Sequence, residues 1–347
     1  MRGEISVLQA GRGLAALAVV LFHLNGVVFP RFLPGLATEI WAPFRGGEAG
    51  VDFFFVLSGF LMAHIHWSRR GLAGEAARFA WKRFLRIYPA YWLVAAPLAV
   101  VLLWLVPDLA QPHERGAAYI TASLALFPTE RHPVLDVAWT LQHEVLFYAV
   151  FGLALWRPRL GGLLLVGWLG ASLIVPFTDP PWPVGFLFSG FHLLFAMGMA
   201  AAFLFRRGAV PLPGAIAAGG LIGFAVAWAL LCVGERTVGL TWAFGLSAAL
   251  AVLGLAEMER QGRLRFAGAL AVLGDSSYSL YLLHMPVMAA GALALKASGL
   301  DLPVAVAFAL LLGSALAAGF AFRLVVEKPI LAMTRPRPKL AAAVAAG

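Results

Sequence analysis

Charge is scarce in this chain. Asp, Glu, Lys and Arg make up 12% of its 347 residues, where soluble domains carry about 25%. That excludes a soluble globular protein. Disorder is excluded as well, because 61% of the residues are hydrophobic and disordered chains are poor in such residues. Cysteine is almost missing. Cys232 stands alone in the apolar run VAWALLCVG, so a disulfide framework and a cysteine-based metal site are both ruled out. No metal is expected. Alternating apolar and polar stretches are lacking too, which argues against a membrane β-barrel. Acidic residues are the rarer charge, 17 against 26 Lys and Arg, for a net charge of +9.

What remains is apolar sequence in long runs. These fall near 9–29, 50–67, 87–107, 139–156, 160–177, 185–205, 213–233, 238–256, 268–292 and 304–325. Each approaches the ~20 residues that cross a bilayer as a helix. The fold class expected is an all-α polytopic membrane protein with about ten transmembrane helices. With the first residues inside, twenty of the 26 basic residues fall on the cytoplasmic side of ten spans. That bias orients membrane proteins, and an odd span count would scramble it. Both termini are therefore expected in the cytoplasm, and the positive charge reads as orientation rather than as a nucleic-acid partner. Residues 1–333 form one expected transmembrane domain, and 334–347 a basic, alanine-rich cytoplasmic tail. The first run resembles a signal peptide in its basic start and small residues. It also carries Arg12 and His23, so it is expected to be retained.

Ionisable groups inside hydrocarbon cost at least ~2.5–3.5 kcal/mol at the centre, which makes them functional candidates. In GRGLAALAVVLFH, Arg12 and His23 are eleven residues apart. At 3.6 residues per turn they share one helix face to within ~20° and lie ~16 Å apart along the axis. The run WTLQHEVLFY places His143 and Glu144 one to two turns below the outer surface. VDFFFVLSGFLM puts Asp52 near the outer boundary and Ser58 mid-membrane. In LGDSSYSLYLLHMP, Ser277, Tyr281 and His284 share a face at i, i+4, i+7 spacing. For any one of these, hydrogen bonding between helices is the plainer reading. Together they point to a buried polar chamber. On the inner side, HWSRRGLAGEAARFAWKRFLR carries six basic residues and one acid. Arg83 and Arg86 are i, i+3 neighbours there, spaced to clamp phosphates, although anionic lipid would suit the same charge.

At these residues the chain resembles the integral-membrane acyltransferases of acyltransferase family 3, and within it the exopolysaccharide acetyltransferase branch. The resemblance is carried by Arg12 and His23, GVDFFFVLSGF, RFLRIYPAYW, WTLQHEVLFY, LGDSSYSLYLLHMP and the closing VEKP, in order along the chain. Family members often carry a longer acidic string in the fourth span, where this chain has Glu144 beside His143. The resemblance implies an O-acyltransferase of the cytoplasmic (inner) membrane. It would move an acyl group, usually acetyl, from cytoplasmic acyl-CoA (acetyl-CoA) to a hydroxyl of an envelope or exported carbohydrate, free or lipid-linked. It further implies that Arg12 and His23 are required and that Arg83 and Arg86 help hold the donor.

Within that frame His23 is expected to be the general base or the acyl carrier, and the residues leave both open. Glu144 is expected to orient His23, as the third group of a triad does. Ser58, Tyr281, His284 and Asp52 are expected to contact the acceptor or the oxyanion. The rival class, a transporter or flippase for a lipid-linked sugar, commonly shows inverted repeats, and none is visible. Two lookalikes fall away. Gly11 to Ala16 mimics a dinucleotide fingerprint but follows no strand, and His132 with Asp136 lies in an external loop.

Overall fold

The computed structural model describes residues 5–105, 115–208, 210–265 and 268–333, and among these the chain is helical with no strand. Ten long helices organise it: α1 (Ser6–His23), α2 (Gly50–His66), α3 (Glu75–Val100), α4 (Trp139–Trp156) and α5 (Pro158–Ile174). They continue with α6 (His192–Arg207), α7 (Pro213–Val233), α8 (Val238–Arg260), α9 (Ser277–Ser298) and α10 (Val304–Phe322). These coincide with the ten expected spans. Nine helical segments among the described residues are long and apolar enough to cross a membrane. The tenth, α4, has 18 residues but carries Gln142, His143 and Glu144 within one turn. Its polarity marks the helix that brings polar groups inward. The expected tail, 334–347, lies outside the described residues.

Two boundaries differ from the sequence reading. The third span was expected from residue 87, but α3 is already helical from Glu75, so the second half of the basic stretch belongs to it. Arg83 and Arg86 therefore sit on a rigid element. The ninth span begins only at Ser277. A separate short helix, Ala269–Asp275, precedes it and presses Gly274 onto α1. A Cβ on Gly274 would stand 2.0 Å from the Gln9 carbonyl oxygen.

The packing is that of helices in lipid, where small residues let backbones approach. α2 runs against α6 through a reciprocal glycine contact. A Cβ on Gly59 would meet the Phe195 carbonyl oxygen at 2.1 Å, and one on Gly198 would meet that of Val56 at 1.9 Å. Ser58 is thus fixed beside the point of closest approach. The large apolar side chains left outside, such as Leu163, Val166, Ile222 and Val233, form a surface suited to acyl chains rather than water.

One end of the bundle gathers the cations. The Gly71 N–H donates to the Leu155 carbonyl at 2.7 Å. Arg206 donates to the Ala63 carbonyl at 3.2 Å, and Arg260 to that of Phe205 at 3.3 Å. The start of α1 joins the same end, with the Ser6 and Val7 N–H groups donating to the Glu259 carboxylate at 2.7 and 2.8 Å. A carboxylate there satisfies orphan donors and complements the helix dipole.

Candidate active site

The first turns of α3 and the start of α1 bring four cations to a cavity of about 410 Å³: Arg12, Lys82, Arg83 and Arg86. Farther along, α2 and α4 contribute Ser58, Glu144, Tyr148 and Thr140, and α9 contributes Ser277, Tyr278 and Tyr281. The walls between them are apolar, with Phe54, Phe55, Leu57 and Leu61 on α2. A cationic mouth thus leads into an apolar channel with a few placed hydroxyls and one carboxylate.

The two arginines of α3 differ. Arg86 is ion-paired with Glu327, an acid buried in a π turn that follows α10. Glu327 also accepts from Ser279 Oγ at 2.5 Å, and the Arg86 guanidinium lies 5.0 Å from the Tyr278 ring centre. Arg83 makes no ion pair among the described residues. It faces the Tyr148 ring at 5.6 Å, and its buried Nε has no hydrogen-bond partner there. Among the described residues Arg12 donates only to Gln9 Oε1, at 3.2 Å. Arg12, Arg83 and the exposed Lys82 are the cavity cations without an ion pair among those residues. The Ser277 hydroxyl, fully buried, likewise lacks a partner among the described residues.

Mid-cavity, the Glu144 carboxylate accepts from Ser58 Oγ at 2.9 Å and from Tyr148 OH at 2.5 Å. Its hydrogen bonds go to these groups and not to His23. The expected Glu144–His23 contact is therefore replaced: Glu144 lies beside Ser58 and Tyr148, whose ring faces Arg83, and His23 has other neighbours. His23 instead sits at the end of α1, just before a π turn over Leu24–Val28. Its Nδ1 is 2.9 Å from the Val19 carbonyl and 3.2 Å from His284 Nε2. Such π turns are frequent at functional sites. The next residues are secured by Asn25, whose Oδ1 accepts from the Ile40 and Trp41 N–H groups at 2.8 and 2.9 Å.

Neither His23 nor His284 lines the cavity. Tyr281 does, and it stands between: its ring is 5.8 Å from that of His284, which is 4.9 Å from that of His23. The Tyr281 hydroxyl donates to the Val137 carbonyl at 2.8 Å and lies 2.7 Å from Thr140 Oγ1. Asp52 is placed elsewhere. Fully buried, it receives both Nη groups of Arg236 at 3.1 and 2.9 Å, while Arg236 Nε reaches Glu48 at 2.7 Å. The acceptor contact expected at Asp52 gives way to a buried ion pair that fastens the loop before α8 to α2.

The sequence as a whole matches known proteins. The family model described as an acyltransferase domain covers residues 5–324. The chain belongs to that acyltransferase family. The exopolysaccharide production protein ExoZ of Rhizobium meliloti is 34% identical over 308 residues, covering 85% of this chain and 92% of the relative. The membrane-bound transacylase BcsY of Komagataeibacter xylinus, named as putative, is 28% identical across 79% of this chain and 70% of its own. The peptidoglycan O-acetyltransferase OatA of Listeria monocytogenes is 29% identical, over 49% of this chain and 29% of the relative. No solved structure matches.

Sequence reasoning did not single out Tyr148 and Thr140, which line the cavity, or Glu327, which holds Arg86 beside it. Tyr148 was reachable, since it lies four residues after Glu144 and so shares its face. Glu327 was not, because its partner Arg86 is 241 residues away in sequence. Outside the spans, His132 and Asp136 form a half-exposed pair, Nδ1 to Oδ1 2.6 Å. The hydrogen bond to Asp136 raises the His132 pKa above the ordinary histidine value. A raised value in the folded chain means the pair steadies this loop fully below pH about 6.5. That contribution is lost as pH climbs through the folded value. Asp136→Asn is expected to bring the NMR titration midpoint of His132 back toward about 6.5; an unmoved midpoint would contradict the pairing.

Proposed function

We propose that this membrane acyltransferase moves an acetyl group from acetyl-CoA, bound at the cytoplasmic end, to a hydroxyl of an exported polysaccharide. The observation that carries the reading is the single cavity joining the free cations Arg12 and Arg83 to the polar groups of α2, α4 and α9. Its cationic mouth suits the phosphates of the donor, and its narrow apolar stretch suits the pantetheine arm. The bias of basic residues supports a cytoplasmic side for that mouth and for both chain ends, and the inner membrane is the membrane we propose. Residues 1–333 act as one transmembrane unit, with 334–347 as a cytoplasmic tail. The relatives named for exopolysaccharide production and for peptidoglycan O-acetylation support a carbohydrate acceptor, free or lipid-linked.

In the transfer, His23 takes the proton of the acceptor hydroxyl as that oxygen attacks the thioester carbonyl. The carbon–sulfur bond breaks, and the thiolate of coenzyme A leaves with the proton returned by the imidazolium. A neutral imidazole suits this near pH 7. Tyr281 is the residue the acyl end of the donor meets first, and Ser58, held by Glu144, lines its path. The test is mass spectrometry of polysaccharide from cells with and without this chain. Polysaccharide from the deficient cells is expected to lack a mass increment of one acetyl group per modified residue. Identical spectra would reject the reading.

A further inference from the structure

The hydrogen-bond pattern around His23 decides which of its ring nitrogens carries a proton. His284, which packs against His23, is fully buried. Its Nδ1 lies 2.8 Å from the Tyr281 carbonyl oxygen and 3.2 Å from that of Leu280. Carbonyl oxygens only accept, so this Nδ1 is the protonated, donating nitrogen. No carboxylate is hydrogen-bonded or ion-paired to His284 among the described residues, so the ring has no counter-ion to hold a second proton. Its Nε2 therefore presents a lone pair. That lone pair faces His23 Nδ1 at 3.2 Å, and the Val19 carbonyl oxygen faces the same nitrogen at 2.9 Å. Two acceptors converge on one atom. His23 Nδ1 must then be the protonated position, which leaves His23 Nε2 free to act as a base.

We infer that His284 is the positioning residue of His23: an acceptor at Nδ1 that fixes the tautomer and steadies the imidazolium formed when Nε2 takes the acceptor's proton. A neutral imidazole thus fills the place that a carboxylate holds in a Ser-His-Asp arrangement. The fit is to a buried site, since a second ring brings an acceptor without adding a charge to desolvate. The inference rests on the reading of His23 as the base, and it replaces the acceptor-contact role expected for His284.

The tautomer is read directly by magic-angle-spinning NMR of the full chain, labelled with ¹⁵N-histidine, in lipid bilayers. The His23 signals are assigned by their loss in His23→Gln. The native chain is expected to show His23 protonated at Nδ1 and bare at Nε2, together with a His284 ring of the same form. Protonation of His23 at Nε2 would overturn the proposal. Because this readout needs no turnover, it stays separate from the functional reading: a chain with the stated tautomer that acylates nothing defeats only the latter.

Kinetics supply the second arm. His284→Leu removes the acceptor and is expected to lower kcat about 10- to 100-fold, the loss of one hydrogen bond to a charged group, with KM for acetyl-CoA unchanged. His284→Gln, whose Oε1 reaches the position of Nε2, is expected to restore most of kcat. An unchanged kcat in His284→Leu, or equal losses in both variants, would overturn the proposal.

Discussion

His23→Gln is expected to lower acetyl transfer by about 10²–10⁴-fold, the range over which a positioned base contributes to catalysis. The substitution keeps a polar side chain of similar reach, so the end of α1 and its π turn retain their anchor at Asn25. Expression, membrane insertion and donor binding should stay normal, because the cations proposed to meet the donor lie near the other end of α1. The check is steady-state transfer from acetyl-CoA in membranes carrying equal amounts of each protein. Full activity in His23→Gln would remove His23 from the chemistry. A loss of activity accompanied by a loss of folded protein would assign it a structural role instead.

Arg83 and Arg86 are neighbours on one helix, yet their replacement is expected to fail in different ways. Arg86→Ala strips the nearer cation from Glu327, which is 1% exposed and also bound to Ser279, and leaves it only the more distant Arg323 at 3.8 Å among the described residues. Removing one member of a buried ion pair costs about 3–5 kcal/mol, so this variant should lose thermal stability whether or not donor is present. Arg83→Ala leaves no buried acid behind. It is expected to preserve stability and to weaken acetyl-CoA binding about 10- to 100-fold, equal to the loss of about 1.5–3 kcal/mol from a charged contact. Thermal unfolding in detergent and donor titration on the purified protein separate the two. Matching behaviour of the two variants in both measurements would contradict the distinction between a structural and a donor-facing arginine.

The contrast shows what the sequence made legible. The ten spans were readable because lipid demands long apolar helices and leaves few alternatives. The exception, α4, was diluted by the polar residues that make it part of the site. Height along a helix was only partly informative: spacing grouped Ser58 and Glu144 with His23 and His284 and set Arg83 and Arg86 apart on the inner side, whereas one cavity joins Arg12, Ser58, Arg83, Arg86, Glu144 and Tyr281 and leaves both histidines outside its lining.

Azimuth was not readable, because nothing local says which neighbour a helix face meets. Spacing put Glu144 and His23 in one layer, but Glu144 binds Ser58 and Tyr148 while His23 meets His284. Asp52 looked available until Arg236, 184 residues later, was found against it. Arg86 and Glu327 paired across a still longer separation. Each of these contacts is a tertiary fact about helix order and rotation, and each changes the role its residue plays.

We propose that transfer runs across the membrane, from a donor at the basic end to an acceptor at the other. It is tested most directly by sealing acetyl-CoA inside vesicles that contain the purified chain, with polysaccharide from deficient cells outside. Acetyl-CoA does not cross the bilayer, and chains inserted with the basic end inward are expected to acetylate the external polysaccharide. Acetylation that occurs only when donor and polysaccharide share one compartment would contradict the account.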